Sequence, residues 1–321
     1  MLGASHLVRR FAGRLAVDDV TFEVQAGEVF GLVGPNGAGK TTTLRMLGGL
    51  IPPTAGEVRI DGMRFDDATG PGLRARIGFL TETPGLWDQI TVAENLAIYA
   101  RLFGVAGVAA GVERSLRQFS LWDRRGDKAG LLSKGLKQKL ALARALVHDP
   151  PIVLLDEPTA NLDPETSRDV RDLLLDLRGR GRVVVVSTHN LDEVERVADR
   201  VALISTRLIA VGRPADLRRG LFERRLIIRM GDSGRDLSAL LDVATRAGAR
   251  DVRQADGGLS MALDRPDGGV PEVVRALVLA GASIQAVFDK DPPLEEVYLR
   301  LLSDVPATTA TAPQDPQDPT A

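Results

Sequence analysis

Short apolar runs alternate along this chain with longer stretches in which apolar residues recur at helical spacing. The apolar runs predict buried strands of a parallel sheet, at residues 28–33, 77–80, 152–155 and 183–187. The helical spacing predicts helices between these strands, at residues 41–50, 91–103, 133–146 and 164–178. Such an alternation is typical of an α/β fold.

Two parts of the chain depart from this alternation. Residues 7–24 alternate loosely between apolar and polar positions around turns, which predicts short antiparallel strands. Thr91 and Glu94 have the spacing of a capping box, and they open a mostly helical insert over residues 90–148. Further short elements are predicted at residues 57–60, 192–198, 201–204 and 208–211.

The chain after Gly220 has a different order of elements. Its pattern predicts a strand, a helix, two strands, a helix and a strand, at residues 224–230, 236–247, 251–254, 259–263, 271–280 and 283–288. This is the split β-α-β order of ferredoxin-like domains, and an amphipathic helix follows at 294–302. The final residues, rich in Pro, Thr, Ala, Gln and Asp, predict a disordered tail. We therefore divide the chain into a first domain (1–220), a small α+β domain (221–303) and a tail (304–321).

Composition restricts the class of protein. With 321 residues, 44% of them hydrophobic and 26% charged, the chain has the composition of a soluble globular protein with two domains. Its 41 Lys and Arg against 43 Asp and Glu leave a formal net charge of −2, so no electrostatic footprint for nucleic acid is expected. The lack of cysteine excludes disulfides and thiolate metal sites. Because neither a signal peptide nor a membrane-spanning apolar run is present, we expect a cytoplasmic protein.

A glycine-rich segment between the first long apolar run and its helix carries the strongest chemical pattern. It reads Gly34-Pro35-Asn36-Gly37-Ala38-Gly39-Lys40-Thr41 and fits G-x-x-x-x-G-K-[ST] at every fixed position. Its glycines allow successive backbone N–H groups to converge on a phosphate, and the helix N-terminus adds partial positive charge. Lys40 would reach the β- and γ-phosphates, and the Thr41 hydroxyl would bind Mg²⁺. The segment predicts binding of a nucleoside triphosphate.

Asp156 and Glu157 follow directly on the apolar run 152–155, so a strand carries two adjacent acids at its tip. In a phosphoryl-transfer site, the first acid holds Mg²⁺ and the second accepts a proton from the attacking water. The pair is a weak pattern alone, because many apolar strands end in acids. After a phosphate loop on a parallel sheet it becomes a strong one.

Several motifs together resemble those of ABC-transporter ATPase subunits, and of the exporter-type branch in particular. They are the phosphate loop, Leu132-Ser133-Lys134-Gly135-Leu136, Asp156-Glu157-Pro158-Thr159, Asn161-Leu162-Asp163-Pro164 and His189. The resemblance covers residues 7–219. It implies a P-loop NTPase core with an antiparallel β subdomain and a helical subdomain. The region after Gly220 resembles, more distantly, the accessory domain of some exporter-type subunits.

The resemblance implies roles for individual residues at a nucleotide site. The residues that match the family's contacts to base, phosphates and metal are Phe11, Gly34 to Thr42, Asp156, Glu157 and His189. Phe11 would stack on adenine, Asp156 would hold Mg²⁺, and Glu157 would be the general base. Lys40 and His189 would contact the γ-phosphate, and His189 would also hold Glu157 and the water in place.

Three residues match positions that act across a subunit interface. Ser133 and Gly135 match the signature motif, whose helix N-terminus faces the γ-phosphate bound by another subunit. Asp163 matches the acid of the loop that crosses to the partner. A Ser N-cap with a small residue two positions later leaves backbone N–H groups open to an anion, which agrees with that role.

The chain departs from the family pattern at three positions. The signature motif usually reads Leu-Ser-Gly-Gly-Gln, whereas Lys134 and Leu136 stand at its third and fifth positions here. Glu82 stands where most members have Gln at the end of the strand near the metal. A carboxylate there can bind Mg²⁺ but repels the γ-phosphate, by roughly 4 kcal/mol at about 4 Å and an effective dielectric near 20. The altered signature motif and the Glu at position 82 both occur in the exporter-like branch, so the resemblance still implies an active enzyme.

The resemblance also implies ATP and Mg²⁺ as cofactors and two protein partners. Two copies of the chain, or one copy and a homologous subunit, would enclose two ATP molecules between phosphate loop and Ser133 helix. A separate membrane permease would contact the groove around residues 82–87 and the helical insert. The chain would then lie on the inner face of the membrane and use ATP hydrolysis to drive transport, with export favoured.

Two other functions are possible for a chain with these motifs. Non-transport ABC ATPases acting on ribosomes or DNA commonly have two cassettes in one chain or a long coiled-coil insert. This chain has one cassette, a modest insert and no basic patch, so direct binding to nucleic acid is not expected. A nucleotide-sensing module without turnover requires a non-acidic residue at the position of Glu157.

Overall fold

The computed structural model describes residues 1–221, 225–231, 237–255, 257–263, 269–290 and 293–304. Its strands are β1 Leu2–Phe11, β2 Arg14–Val24, β3 Glu28–Val33, β4 Ala55–Ile60, β5 Met63–Arg64, β6 Ile77–Leu80, β7 Ile152–Asp156, β8 Val183–Thr188, β9 Arg200–Ser205, β10 Arg207–Gly212, β11 Arg225–Met230, β12 Ala249–Ala255, β13 Gly258–Leu263 and β14 Ile284–Lys290. Its α-helices are α1 Lys40–Leu47, α2 Gly70–Arg74, α3 Val92–Leu102, α4 Val108–Gln118, α5 Lys134–Leu146, α6 Pro164–Gly179, α7 Leu191–Glu195, α8 Pro214–Leu221, α9 Leu237–Arg246, α10 Gly269–Leu279 and α11 Leu294–Asp304.

One sheet connects the strands of the first 212 residues, in the order β5-β4-β1-β2-β10-β9-β3-β8-β7-β6. The strands from β9 to β6 pair in parallel, whereas β1, β2, β4 and β5 pair antiparallel. The predicted α/β class and the predicted antiparallel strands are therefore confirmed. Because β3, β7 and β8 run parallel, their carboxyl ends meet at one edge of the sheet, where ligands of α/β proteins bind.

The central strands are apolar throughout because both of their faces are covered. On β3, Val29 packs into the core formed with α3, α5 and α6, whereas Phe30 and Leu32 pack into the core formed with α1. On β7, Val153 and Leu154 likewise point into opposite cores. A strand buried on both faces needs apolar residues at successive positions, which explains the uninterrupted runs in the sequence.

The helices begin at their predicted caps but differ in length from the predictions. The Thr91–Glu94 capping box is present at the start of α3, where the Thr91 side chain accepts a hydrogen bond from the backbone N–H of Glu94. Helix α1 ends at Leu47, before the predicted limit of residue 50. Gly49, with φ of 61°, takes the left-handed conformation that commonly ends a helix.

Strands β11 to β14 form a second sheet, with the order β12-β13-β11-β14 and antiparallel pairing throughout. Helices α9 and α10 cover one face of it, where Ala244 and Leu277 pack among apolar strand residues. The order of elements agrees with the split β-α-β pattern. The assignment as a ferredoxin-like domain and the boundary at residue 220 stay predictions. The predicted tail, apart from Asp304, lies outside the described residues.

The last helix, α11, packs against the first sheet instead of the second. Leu294, Val297 and Tyr298 lie in a core with Val194 of α7 and Val201 of β9. The division of the chain at residue 220 assigns this helix to the second unit, so its packing differs from that expectation. Within the described part of the chain, none of the helices has the length and apolar character needed to cross a membrane.

Candidate nucleotide site

The phosphate loop connects the end of β3 to the start of α1, and glycine is needed at two of its positions. Gly39 has φ of 94°, and a Cβ at this residue would lie 2.5 Å from the carbonyl oxygen of Ala16. A Cβ at Gly34 would lie 2.2 Å from the carbonyl oxygen of Ile204. Because real Cβ atoms do not approach backbone so closely, only glycine lets the loop pass between these neighbouring segments.

Lys40 is buried at the first position of α1, with 6% of its surface exposed. Its Nζ donates hydrogen bonds to the carbonyl oxygens of Gly34 (2.8 Å) and Pro35 (3.1 Å). The same Nζ lies 3.4 Å from Oε1 of Glu157. A cation is therefore held at the centre of the loop, between main-chain carbonyls and the predicted general base.

Asp156 lies at the end of β7 and presents its carboxylate to two hydroxyl groups. Its Oδ1 accepts hydrogen bonds from the Thr41 hydroxyl at 3.1 Å and from the Ser187 hydroxyl at 2.5 Å. Hard oxygen donors of this kind suit Mg²⁺, which takes one or two protein ligands and completes its shell with phosphate and water. The residues present therefore fit a magnesium ion at Thr41 and Asp156. The described chain has no group of three or more acidic, His or Cys side chains that could hold a metal ion.

Glu157 occupies a strained backbone conformation at the same edge of the sheet. Its φ of 49° is unusual for a residue with a side chain. The Glu157 N–H donates to the Ser187 carbonyl and hydroxyl oxygens, at 3.1 and 3.2 Å. Its Oε2 lies 3.0 Å from Nδ1 of His189. One carboxylate oxygen thus faces the lysine and the other faces the histidine.

Lys40, Thr41, Glu157 and His189 line a cavity of about 770 Å³, whereas the predicted site residues Gly34, Pro35 and Asp156 are not among its lining residues. Its predicted lining residues are Phe11, Asn36 to Thr42, Glu82, Glu157 and His189, and it is also lined by Arg14, Ala16, Ala160 and Asn161. Phe11 lies at the end of β1 and is 42% exposed. A guanidinium nitrogen of Arg14 lies 3.8 Å from the place that a Cβ of Gly37 would take. The sequence gives no pattern for Arg14, because its position depends on the β1–β2 hairpin.

Ser133, Gly135 and Asp163, here called the signature cluster, lie together but are not among the residues that line the cavity. Ser133 caps α5 and is exposed, with its hydroxyl oxygen 3.4 Å from the Leu136 N–H. A Cβ at Gly135 would lie 3.4 Å from Oδ2 of Asp163. Hydrogen bonds from the Thr166 N–H and hydroxyl to the Asp163 carboxylate lower the pKa of that carboxyl. Asp163 is therefore an ionised cap for α6 beside the start of α5.

Two further residues connect parts of the site and were not predicted. Arg144 on α5 is 7% exposed and donates to the carbonyl oxygens of Pro84 and Gly85, each at 2.6 Å. Burial lowers the pKa of its guanidinium, which also stacks 4.8 Å from the ring centroid of Tyr99. Ser187 is polar in an otherwise apolar strand, and that polarity was the one indication in the sequence that it faces Asp156.

Comparisons with known proteins agree with this geometry. The family model described as ABC transporter matches residues 17–160. A Nod factor export ATP-binding protein I of Rhizobium johnstonii is 36% identical over 300 residues, covering 91% of this chain and 92% of the relative. A protein of the same name from Burkholderia lata is 42% identical over 209 residues, 64% of this chain and 68% of the relative.

Solved structures agree in fold. An ATP-binding subunit of an ABC transporter aligns with a TM-score of 0.63 and 33% identity, over 68% of this chain and 92% of that one. A dimeric ATP-binding cassette in a post-hydrolysis state, bound to ADP and Pi, aligns with a TM-score of 0.61 and 28% identity, over 66% of this chain and 98% of that one. With a relative that matches over nine tenths of both chains, this chain belongs to the ABC transporter family as an ATP-hydrolysing, ATP-binding subunit.

Proposed function

We propose that two of these ATPase chains, or one with a homologous subunit, close around two ATP molecules and thereby drive a separate membrane permease. The observation that carries the proposal is that Lys40, Thr41, Glu157 and His189 line one cavity, where Lys40 and His189 contact Glu157 and Thr41 donates to Asp156. We propose export as the direction because relatives with 36% and 42% identity are named for export. The chain would lie at the inner face of the membrane, held there by the permease.

The phosphate loop and Lys40 would bind the phosphates. Lys40 Nζ donates to two loop carbonyls, and contact with phosphate would replace these bonds with stronger charge-assisted ones. Thr41 and Asp156 would hold Mg²⁺, and Glu82 is a further candidate ligand because it lines the same cavity. Mg²⁺ neutralises charge on the phosphates during transfer.

Glu157 would remove a proton from the attacking water. Contacts to Lys40 at 3.4 Å and to His189 at 3.0 Å fix both of its carboxylate oxygens. The Glu157 carboxylate would accept the proton as the water attacks the γ-phosphate. His189 would hold that carboxylate and the water in line.

The signature cluster would complete the site of a partner subunit. Ser133 is exposed at the N-terminus of α5, where free N–H groups and the helix dipole attract an anion. Since the cluster does not line the cavity of its own chain, we assign it to the γ-phosphate bound by the other subunit. Asp163, beside Gly135, would lie at the same interface.

The Glu157→Gln variant tests this function. The amide keeps the shape of the side chain but cannot accept the proton, so we expect hydrolysis to fall by roughly 10²–10⁴-fold. ATP affinity should stay within a few-fold of the parent. With ATP and Mg²⁺ the variant should convert from monomer to dimer, because two complete sites form and neither is emptied. Steady-state hydrolysis, nucleotide titration and size distribution measure the three quantities.

Glu113→Gln is the matched control, because Glu113 is an exposed acid on α4 that pairs only with Arg117 in the described structure. This control should hydrolyse ATP at the parent rate. Turnover of Glu157→Gln close to that rate would place the proton acceptor elsewhere, and Glu82 would be the next candidate.

A further inference from the structure

Phe11, which the proposed function assigns to the adenine base, lies at the open end of a strand. It is the last residue of β1, and 42% of its surface is exposed. An exposed side chain at a strand end has few packing contacts to select one rotamer. The cost of ordering it would then reduce the affinity for the base.

Arg9 supplies a fixed contact to that ring. Its guanidinium carbon lies 4.5 Å from the centroid of the Phe11 ring. Arg9 stands two residues earlier on β1, so both side chains leave the strand on the same face. Among the described residues, the cavity is lined at this end by Phe11, Arg14 and Ala16. Arg9 is not among the lining residues, although it contacts the ring of Phe11, which is one of them.

Arg9 is itself held in place by the segment that follows α1. Its Nη1 donates to the carbonyl oxygen of Pro52 at 2.7 Å. The same segment binds the neighbouring strand residues, since the Thr54 N–H donates to Val8 O at 2.7 Å and the Arg10 N–H donates to the Thr54 hydroxyl at 3.1 Å. The end of β1 is thus fastened to the chain that leaves the phosphate-loop helix.

The environment of Arg9 is costly for a residue with only a surface role. Its Nε is buried and has no hydrogen-bond partner in the described structure. A buried, unpartnered N–H on a cation destabilises the fold, whereas an Arg directed to solvent avoids that loss. The planar guanidinium offers what Lys lacks, a flat surface for stacking together with a donor at its edge for Pro52.

We propose that Arg9 is a positioning residue for base recognition, which stacks behind Phe11 and holds the ring for adenine on its other face. The inference rests on the proposed function of Phe11. A cation on one face of the ring fixes its orientation and withdraws electron density, which favours stacking of a purine on the opposite face. Arg9 also binds Pro52, in the segment that follows the phosphate-loop helix. It therefore sets the distance between that helix and the ring that stacks on the base.

The test compares two ligands in the full-length chain: ATP, and inorganic triphosphate, which has the phosphates without the base. Arg9→Met keeps an unbranched stem but removes the plane, the charge and the donor. We expect it to weaken ATP binding roughly three- to ten-fold, the range of a cation–π contact, and to leave triphosphate binding unchanged. Arg9→Lys keeps a charge and a donor but not the plane, so its loss of ATP affinity should lie between those of the parent and Arg9→Met. Arg10→Met, at the exposed neighbouring position, should match the parent.

A double-mutant comparison with Phe11→Leu separates positioning from a general structural effect. In the Phe11→Leu background, Arg9→Met should cause no further loss of ATP affinity, because it acts through the ring. Parent-like ATP affinity of Arg9→Met, while Phe11→Leu binds ATP weakly, would overturn the role of Arg9 and leave the proposed function standing. Equal weakening of ATP and triphosphate would also overturn it. If Phe11→Leu itself binds ATP like the parent, the base assignment of Phe11 fails, and the inference fails with it.

Discussion

The cavity and the signature cluster belong to the same chain but are built in opposite ways. Around the cavity, Lys40, Asp156 and Glu157 are mostly buried and contact one another or shared neighbours within 3.5 Å. In the signature cluster, Ser133 is exposed and bonds only its own helix in the described structure. The reactive side chains around the cavity contact one another within the chain, whereas the Ser133 side chain is exposed to solvent. This difference is what the proposed dimer requires, in which a second subunit would complete each site.

The two regions also owe their geometry to different parts of the fold. Parallel strands β3, β7 and β8 end at one edge, so residues distant in sequence meet without any loop rearrangement. The signature cluster depends on the N-termini of α5 and α6, which Ser133 and Asp163 cap. We therefore expect substitutions in the cavity to affect chemistry, and those in the cluster to affect assembly.

Of the substitutions that follow, Lys40→Ala should have the largest effect. Removing the only lysine among the residues that line the described cavity deprives the phosphates of a preorganised charge. We expect hydrolysis to fall by roughly 10²–10³-fold or more and ATP affinity to fall as well. Steady-state hydrolysis and nucleotide titration provide the measurements. Near-normal turnover would remove the cavity from the mechanism.

Ser133→Arg in the Glu157→Gln background tests the other region. A bulky cation at the N-terminus of α5 would occupy the place of the γ-phosphate, so we expect ATP-dependent dimer formation to weaken by roughly thirty-fold or more, the scale of an interface hot spot. A single chain should still bind ATP normally. The size distribution with and without ATP, beside nucleotide affinity, distinguishes these effects. Loss of affinity in the monomer would mean that Ser133 serves its own chain.

Arg144→Met tests the connection between the two regions. Arg144 lies on the helix that begins at the signature cluster and holds the loop that follows Glu82. The variant loses the two hydrogen bonds that the charged guanidinium donates to this loop, which should lower the free energy of unfolding by about 1.5 kcal/mol. This value is at the low end of the range for hydrogen bonds from charged groups, because water reaches the half-exposed loop. Chemical denaturation measures this change, with the exposed Arg101→Met as control. A variant as stable as the parent would argue against a rigid connection.

The smallest expected effect is a pH dependence of stability from His148. Its ring stacks 3.9 Å from that of Phe103, and burial lowers its pKa below 6.5, more than Asp149 nearby raises it. Below pH 6.5 the unfolded chain takes up this proton before the folded one does. Stability should therefore fall as the pH drops from 6.5 toward the lower folded pKa. Denaturation at several pH values should show a shallower decline in His148→Gln than in the parent.

The sequence by itself determined the elements whose causes are local. The phosphate loop, the acids at the end of β7 and the capping box of α3 each follow from residues a few positions apart, and all three are present in the structure. The strand positions follow from apolar runs because strands covered on both faces admit few polar residues. The apolar pattern placed the end of α1 at residue 50 instead of Leu47. Glycine ends a helix through a backbone conformation that this pattern does not specify.

Only the tertiary structure decided the contacts between distant segments. Arg9 binds Pro52, Arg144 binds the loop at Pro84, and α11 returns to the first sheet beside Val194. An Arg on a strand or helix gives the same sequence pattern whether it faces solvent or a buried carbonyl, and an amphipathic helix does not specify which apolar surface it covers. These choices depend on which surfaces the folded chain brings together, a property of the whole packing rather than of any local run of residues.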